Sequence, residues 1–151
     1  MNRQIISKSL MLLFFILFIS LNTFGIVEKL SIEEKVKRAN AIVLGTVEHK
    51  QSQWEEVNGG RRIFTYVYIS VEQYIKGVGG GQVEIKVPGG KVGEITEWVS
   101  DTPHFTTGEK VILFLKPEYF QIVGWQQGKY TVKDKKVVGL GVEASKFINM
   151  V

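Results

Sequence analysis

The chain of 151 residues contains no cysteine. That absence excludes disulfides, thiolate metal sites and a lipid-modified cysteine at a processed N-terminus. Histidine is nearly missing as well: only His49 and His104 occur, far apart in sequence. A zinc site usually needs three or four ligands with recognisable spacing, so no metal site is expected. No cofactor motif stands out either. The glycine triplet Gly79-Gly80-Gly81 is followed by the strand-like Val83–Val87. It therefore lacks the helix that a phosphate-cradling loop must open. Only three prolines are present, Pro88, Pro103 and Pro117. Charge of one sign is in small excess, a formal +4. Long apolar runs are confined to the N-terminus, where Leu10 to Ile19 is unbroken.

That N-terminal stretch is where the positive composition begins. Arg3 and Lys8 precede the apolar run, and the small residues Thr23 and Gly25 follow it. This order predicts a secretory signal over residues 1–25, cut after Gly25. The run is shorter than the roughly 20 residues needed to cross a bilayer, so a retained anchor is the weaker alternative. The expected location is the periplasm or the extracellular space, with no transmembrane helix after cleavage. Cleavage would leave 126 residues and remove Arg3 and Lys8 from the 19 basic residues. The remaining 17 stand against 15 acidic ones, for a net +2. So small an excess argues against a nucleic acid or an anionic membrane as partner. Without disulfides the stability must come from a core, and a domain of this size buries well over half of its unfolded surface.

Residues 26–40 are expected to hold an N-terminal segment and one short helix. Ser31 and Glu34 have capping-box spacing, and Leu30, Ile32, Val36 and Ala39 fall near one helical face. Residues 41–138 read as a β domain and 139–151 as a C-terminal tail, in which Glu143 to Val151 has a helical turn. The first strand is expected over Ala41–His49, with Gly45 marking a bend or a close backbone approach. Gln51–Asn58 is polar with Trp54 embedded, and Asn58-Gly59-Gly60 reads as a turn. Arg61–Tyr74 reads as the longest strand. Its odd positions Ile63, Val67, Ile69 and Val71 are assigned to the core. Phe64, Tyr66, Tyr68 and Tyr74 share the other face, expected to pack under the helix or a loop.

Val83–Val87 alternates as a half-buried strand does, and Pro88-Gly89-Gly90 breaks it. Val92–Val99 is expected to be one short strand. Val111–Leu115 is apolar at every position, as in a strand covered on both sides. Tyr119–Val123 and Gly128–Val132 are expected to form a closing pair joined by GWQQG. Six to eight short strands and one short N-terminal helix predict a mostly β fold, a small closed or partly open β-barrel.

Several segments together resemble a known group. They are Val43-Leu44-Gly45-Thr46-Val47, Tyr66 to Val71, Tyr74-Ile75-Lys76-Gly77, the Val87 to Ile95 stretch and Pro103-His104-Phe105 through Gly108 to Leu115. Their order resembles a family of secreted bacterial proteins to which no activity is assigned. More distantly it is similar to netrin-like domains, the group that contains the tissue inhibitors of metalloproteinases. The resemblance covers most of residues 35–132 and implies an oligonucleotide/oligosaccharide-binding (OB-like) barrel. In those inhibitors an N-terminal cysteine chelates the protease zinc. The present chain has no cysteine, so the resemblance carries over the fold and not that mechanism.

Chemistry is harder to find. Ser100, Asp101 and His104 supply the residue types of a serine hydrolase, but no GxSxG elbow frames them and all three sit in one loop. Glu55-Glu56 and Glu94 with Glu97 are carboxylates whose mutual distance the sequence leaves open. No catalytic residue is assigned. The expectation is a secreted, non-enzymatic binding module with a protein or glycan partner in the cell envelope. Its ligand-facing loops would be Gly77–Gln82, Pro88–Lys91 and Ser100–Gly108. Trp98, Asp101, His104 and Phe105 are the candidate binding residues. A small hydrolase using the Ser100–His104 loop and a purely structural envelope protein are the alternatives.

Overall fold

The computed structural model of the chain describes residues 28–117 and 121–151. The expected signal segment, with its cleavage after Gly25, lies outside them. So do Tyr119 and Phe120 of the expected closing pair. The elements are α1 (Ile32–Arg38), β1 (Ala41–Val57), β2 (Gly60–Lys76), β3 (Gln82–Pro88), β4 (Gly90–Val92), β5 (Ile95–Glu97) and β6 (Lys110–Leu115). A 3-10 turn (Trp125–Gly128), β7 (Lys129–Lys133), β8 (Lys136–Val137) and α2 (Ala144–Ile148) complete the chain. No described helix is long and apolar enough to cross a membrane.

Helix α1 starts as its sequence specifies. The Glu34 N–H donates to Ser31 Oγ at 3.1 Å, and the Ser31 N–H donates to Glu34 Oε2 at 3.0 Å. These reciprocal bonds satisfy two of the donors that a helix start leaves free. At the other end, Lys76 Nζ reaches from β2 to the carbonyls of Val36 and Ala39 at 2.7 and 2.6 Å. A cation there also complements the negative end of the helix.

Strands β1 and β2 form one long hairpin. Its turn is Asn58-Gly59, both in the left-handed region at φ 48° and 80°. Two such residues make the primed turn whose twist matches that of the strands it joins. This corrects the expected end of the first strand at His49: β1 continues through Val57, 17 residues in all. Apart from Trp54 and Val57 the segment beyond Lys50 is polar, so it has no apolar alternation to announce a strand. It is extended because the tight turn zips it onto β2, where cross-strand partners await each side chain.

All pairings are antiparallel, in the order β3-β2-β1-β6-β7-β8, and β4 and β5 form a separate two-stranded ribbon. Among the described residues no ladder joins β3 to β8, so the sheet is open and the closed barrel is not formed. The two-residue β8 is too short to provide a closing edge. Of the expected strand over Val92–Val99 only Ile95–Glu97 is the return half of the ribbon; Val92 ends β4 and Gly93-Glu94 is the turn between them. Nor, among the described residues, do those near Ile122 pair with β7. Ile122 makes a single bridge to Leu115, GWQQG winds into the 3-10 turn, and β7 pairs with β6.

The sheet has an apolar cluster on each face. One gathers Val83, Ile85 and Val87 of β3 with Val111, Leu113 and Leu115 of β6, filled in by Phe105 and Ile122. Strands β3 and β6 are three spacings apart, about 14 Å in a flat sheet. One continuous cluster spanning them requires a curled sheet. Three register shifts in β1, at Ile42/Val43, Leu44/Gly45 and Val47/His49, supply the extra twist. The middle one uses Gly45 as expected, because a Cβ there would overlap the Ser70 carbonyl. The second cluster takes Ile112 and Phe114 of β6 on the other face, with Leu30, Ala39, Val123, Val137 and Phe147. Both helices lie on this side. Phe64, Tyr66 and Tyr68 do not join it and are half-buried. They pack beneath polar neighbours instead of a helix. Lys86 Nζ sits 4.2 Å from the Phe64 ring centre, and His49 stacks on Tyr68 at 4.2 Å.

Every residue of Val111–Leu115 is fully buried. Leu113→Asp is expected to abolish folding, since an unpaired buried carboxylate costs several kcal/mol, on the order of a small domain's whole stability. Circular dichroism melting checks this, and a soluble variant with a cooperative transition would refute it.

Candidate functional site

The Pro-Gly-Gly break after β3 is the hinge on which the site is built. Pro88 has no N–H to continue the ladder. Gly89 and Gly90 then take φ of +87° and +138°, conformations that side chains rarely adopt. Space forbids a side chain too: a Cβ on Gly89 would lie 2.8 Å from the Glu97 carbonyl, and one on Gly90 would collide with the Thr65 and Ser52 hydroxyls. Those hydroxyls fasten the turn. Thr65 Oγ1 donates to the Gly89 carbonyl at 2.7 Å, and Ser52 Oγ lies 2.8 Å from Thr65 Oγ1. With the Thr65 proton committed to Gly89, Ser52 is the donor to Thr65.

Glu97 pins the returning strand of the ribbon. Its carboxylate accepts the Ile63 N–H at 2.8 Å and pairs with Arg62. The Ile63 N–H is the main reason that this carboxyl is held below its ordinary range. Burial opposes the shift, and Arg62 adds to it. The ribbon thus hangs from the edge of β2 at both of its ends.

A loop from Val99 to Glu109 closes the other side. Its far end is bound into the sheet, with the Gly108 N–H on the Val47 carbonyl at 2.8 Å and the Val47 N–H on the Glu109 carbonyl at 2.9 Å. The Glu109 side chain is a half-buried hub. It pairs with Lys129 Nζ at 2.6 Å, accepts the Thr131 hydroxyl, and accepts the Thr106 N–H at 3.1 Å. Burial pushes its carboxyl up and is the largest single influence. Lys129, Thr131 and the Thr106 N–H together outweigh it, so the net shift is downward. Lys129 Nζ also lies 5.0 Å from the Phe105 ring centre. Lys50 Nζ donates to the Phe105 carbonyl at 2.7 Å, tying β1 to the same loop.

Between ribbon, loop and sheet lies a cavity of about 450 Å³. Val67, Val87 and Phe105 contribute apolar surface, and Lys50, Ser52 and Thr102 contribute polar groups. Trp98 stands at its edge, 74% exposed, with its indole stacked against His104 at 4.8 Å and a 33° tilt. Thr102 is 7% exposed, and its Oγ1 has no hydrogen-bond partner among the described residues.

Of the four candidate binding residues, Trp98, His104 and Phe105 line this cavity. Phe105 belongs to the core cluster and forms part of the wall, not an exposed contact. Asp101 lines a neighbouring cavity of about 420 Å³ with Ser100 and Trp125. Ser100 and Asp101 therefore face one cavity and His104 another, and the three do not assemble as a triad. The Gly77–Gln82 loop is at the opposite end of β3, and Tyr74 Oη donates to the Gly80 carbonyl there at 3.0 Å. Among the described residues no three His, Cys, Asp or Glu side chains are grouped to hold a metal.

Lys50, Ser52 and Thr65 are the site residues that sequence reasoning missed, and Thr102 fell within the expected Ser100–Gly108 loop without being singled out. For one pair a signal existed. A two-residue turn at Asn58-Gly59 fixes the register of everything behind it, and it sets Ser52 opposite Thr65. Nothing in sequence announced Lys50.

The lowered Glu109 carboxyl predicts how the loop responds to acid. A depressed folded-state value contributes stability above the unfolded carboxyl's value of about 4.3, and the contribution is lost as pH falls through the folded value. Glu109→Gln is expected to destabilise by about 1–3 kcal/mol at neutral pH, the scale of charge-assisted hydrogen bonds. The gap between variant and wild type should narrow steadily below pH 4. Thermal melts of both proteins from pH 3 to 7 measure this, and a gap independent of pH would remove Glu109 as the anchor.

Compared with known proteins, the chain matches no family model, no curated protein and no solved structure.

Proposed function

We propose that the chain is an exported, non-enzymatic binding module that receives an extracytoplasmic ligand in the cavity beneath the β4–β5 ribbon. One observation carries the reading: Trp98 is braced by His104 yet left largely in solvent, at the mouth of a cavity with rigid walls. A large aromatic side chain fixed in orientation and still exposed is the usual form of a binding anchor. The walls are rigid because each is fastened to the sheet, through Thr65, Glu97, Lys50 and Glu109. A cavity of this volume lies within the roughly 300–1,000 Å³ of small-molecule pockets.

The curled, open sheet supports reading the fold as a partly open barrel of the OB-like, netrin-like kind. A hydrolase is the weaker alternative, since Ser100 and His104 face different cavities. A purely structural envelope role would leave the exposed Trp98 without a purpose. The N-terminal order of basic residues, apolar run and small residues supports export.

Two experiments test this proposal. N-terminal sequencing of the protein recovered from outside the cytoplasm should begin at Ile26, and a protein that begins at Met1 would refute cleavage. A pull-down from native cell-envelope extract with the mature protein should retain material that a folded Trp98→Ala variant does not. Equal retention by both, or none by either, would remove the cavity from the function.

A further inference from the structure

Building on that reading, we propose that the cavity beneath the β4–β5 ribbon takes a saccharide. One pyranose ring would lie on the Trp98 indole, with its hydroxyls meeting the Thr102, Ser52 and Lys50 side chains. The cavity is half of two characters, and this pairing identifies the ligand class. Trp98 offers a flat apolar face that His104 holds in place. Behind it, polar groups are set within an otherwise apolar wall of Val67, Val87 and Phe105. An aliphatic or aromatic ligand would leave those polar groups unpaired. A polynucleotide needs a basic groove along its backbone, and the charge expected after signal cleavage is only +2. A sugar ring has C–H faces for the indole and a rim of hydroxyls that both donate and accept.

The polar groups have capacity to spare. Ser52 commits its proton to Thr65, because Thr65 commits its own to the Gly89 carbonyl. Ser52 Oγ therefore faces a ligand as an acceptor. Lys50 Nζ carries three protons and places one on the Phe105 carbonyl. Thr102 is the independent sign of a missing partner. Its hydroxyl is buried in the cavity wall with no acceptor or donor among the described residues. Buried polar groups left unsatisfied are rare and call for an explanation such as a bound ligand.

The two roles open to Thr102 have opposite signatures. If its hydroxyl serves the ligand, Thr102→Val removes an unsatisfied group. The free protein should then melt no lower than wild type while saccharide binding weakens. If the hydroxyl serves the fold, the variant melts lower. The experiment applies the mature protein to an array of defined neutral and N-acetylated oligosaccharides and, in parallel, to an array of peptides. The strongest binder is then titrated calorimetrically. The expected result is a retained saccharide whose affinity falls at least about tenfold in Trp98→Ala, one lost contact of about 1.4 kcal/mol. Trp98→Phe should recover part of the loss by restoring an aromatic face. Retention of peptides alone, still dependent on Trp98, would overturn the saccharide and leave the binding module standing. Retention of neither class would overturn the saccharide. Together with an envelope pull-down indifferent to Trp98, it would also sink the binding module. Saccharide binding unchanged in both Trp98→Ala and Thr102→Val would move the site elsewhere and refute the assignment.

Discussion

Strand β6 must be dry on both faces, and most of the architecture follows from that requirement. Five successive apolar side chains alternate across the sheet. Whatever covers Val111, Leu113 and Leu115 cannot also cover Ile112 and Phe114. The chain solves the two sides differently. Both helices lie against one side. On the other side the sheet curls, so that its own strands and two loop residues supply the cover. With no disulfide to hold the arrangement, these two apolar clusters and the backbone ladder have to stabilise it.

The curl also explains where a cavity can form. A sheet that bends over its own core cannot fill the space near its free edge as completely as near its centre. At β3 that space is occupied by the ribbon and the Val99–Glu109 loop. Neither belongs to the main sheet, yet each is attached to it by a bond to a buried or half-buried partner. The attachments are polar: a hydroxyl pair, a carboxylate on a strand-edge N–H, and a lysine–glutamate pair. The candidate site is thus held to an apolar scaffold by polar fastenings. It can keep its shape without enlarging the core.

Much of the fold was legible before any coordinates. The capping box, the doubly covered β6, the close approach at Gly45 and the odd-numbered core of β2 all follow from short-range patterns with a single strong cause. The errors fall where the cause is long-range. Residues 51–57 are polar except for Trp54 and Val57, and only their pairing with β2 makes them strand. The sheet stays open because β8 is short, and no local signal reports whether two distant edges meet. GWQQG has two glycines and so looks like a hairpin loop, but tertiary packing winds it into a 3-10 turn. The site was legible in part. Trp98 at the end of an expected strand and His104 in the following loop stood out as large residues, whereas Thr102 gains interest only from burial. Asp101 was chosen for its type, and its neighbours place it in a different cavity.

The Asn58-Gly59 turn has a consequence for how such a chain can change length. Behind that turn each residue of β1 faces a fixed residue of β2, and successive side chains point to opposite surfaces. Deleting one residue from either strand between the turn and the irregularity at Val47/His49 would carry Ser52 or Thr65 to the outer surface. The Gly89-Gly90 corner would lose its fastening. Adding one residue to each strand together would lengthen the arm and leave the opposing pairs in step. The arm is therefore free to grow or shrink by whole rungs but not by single residues, and relatives of different length should differ there by even numbers.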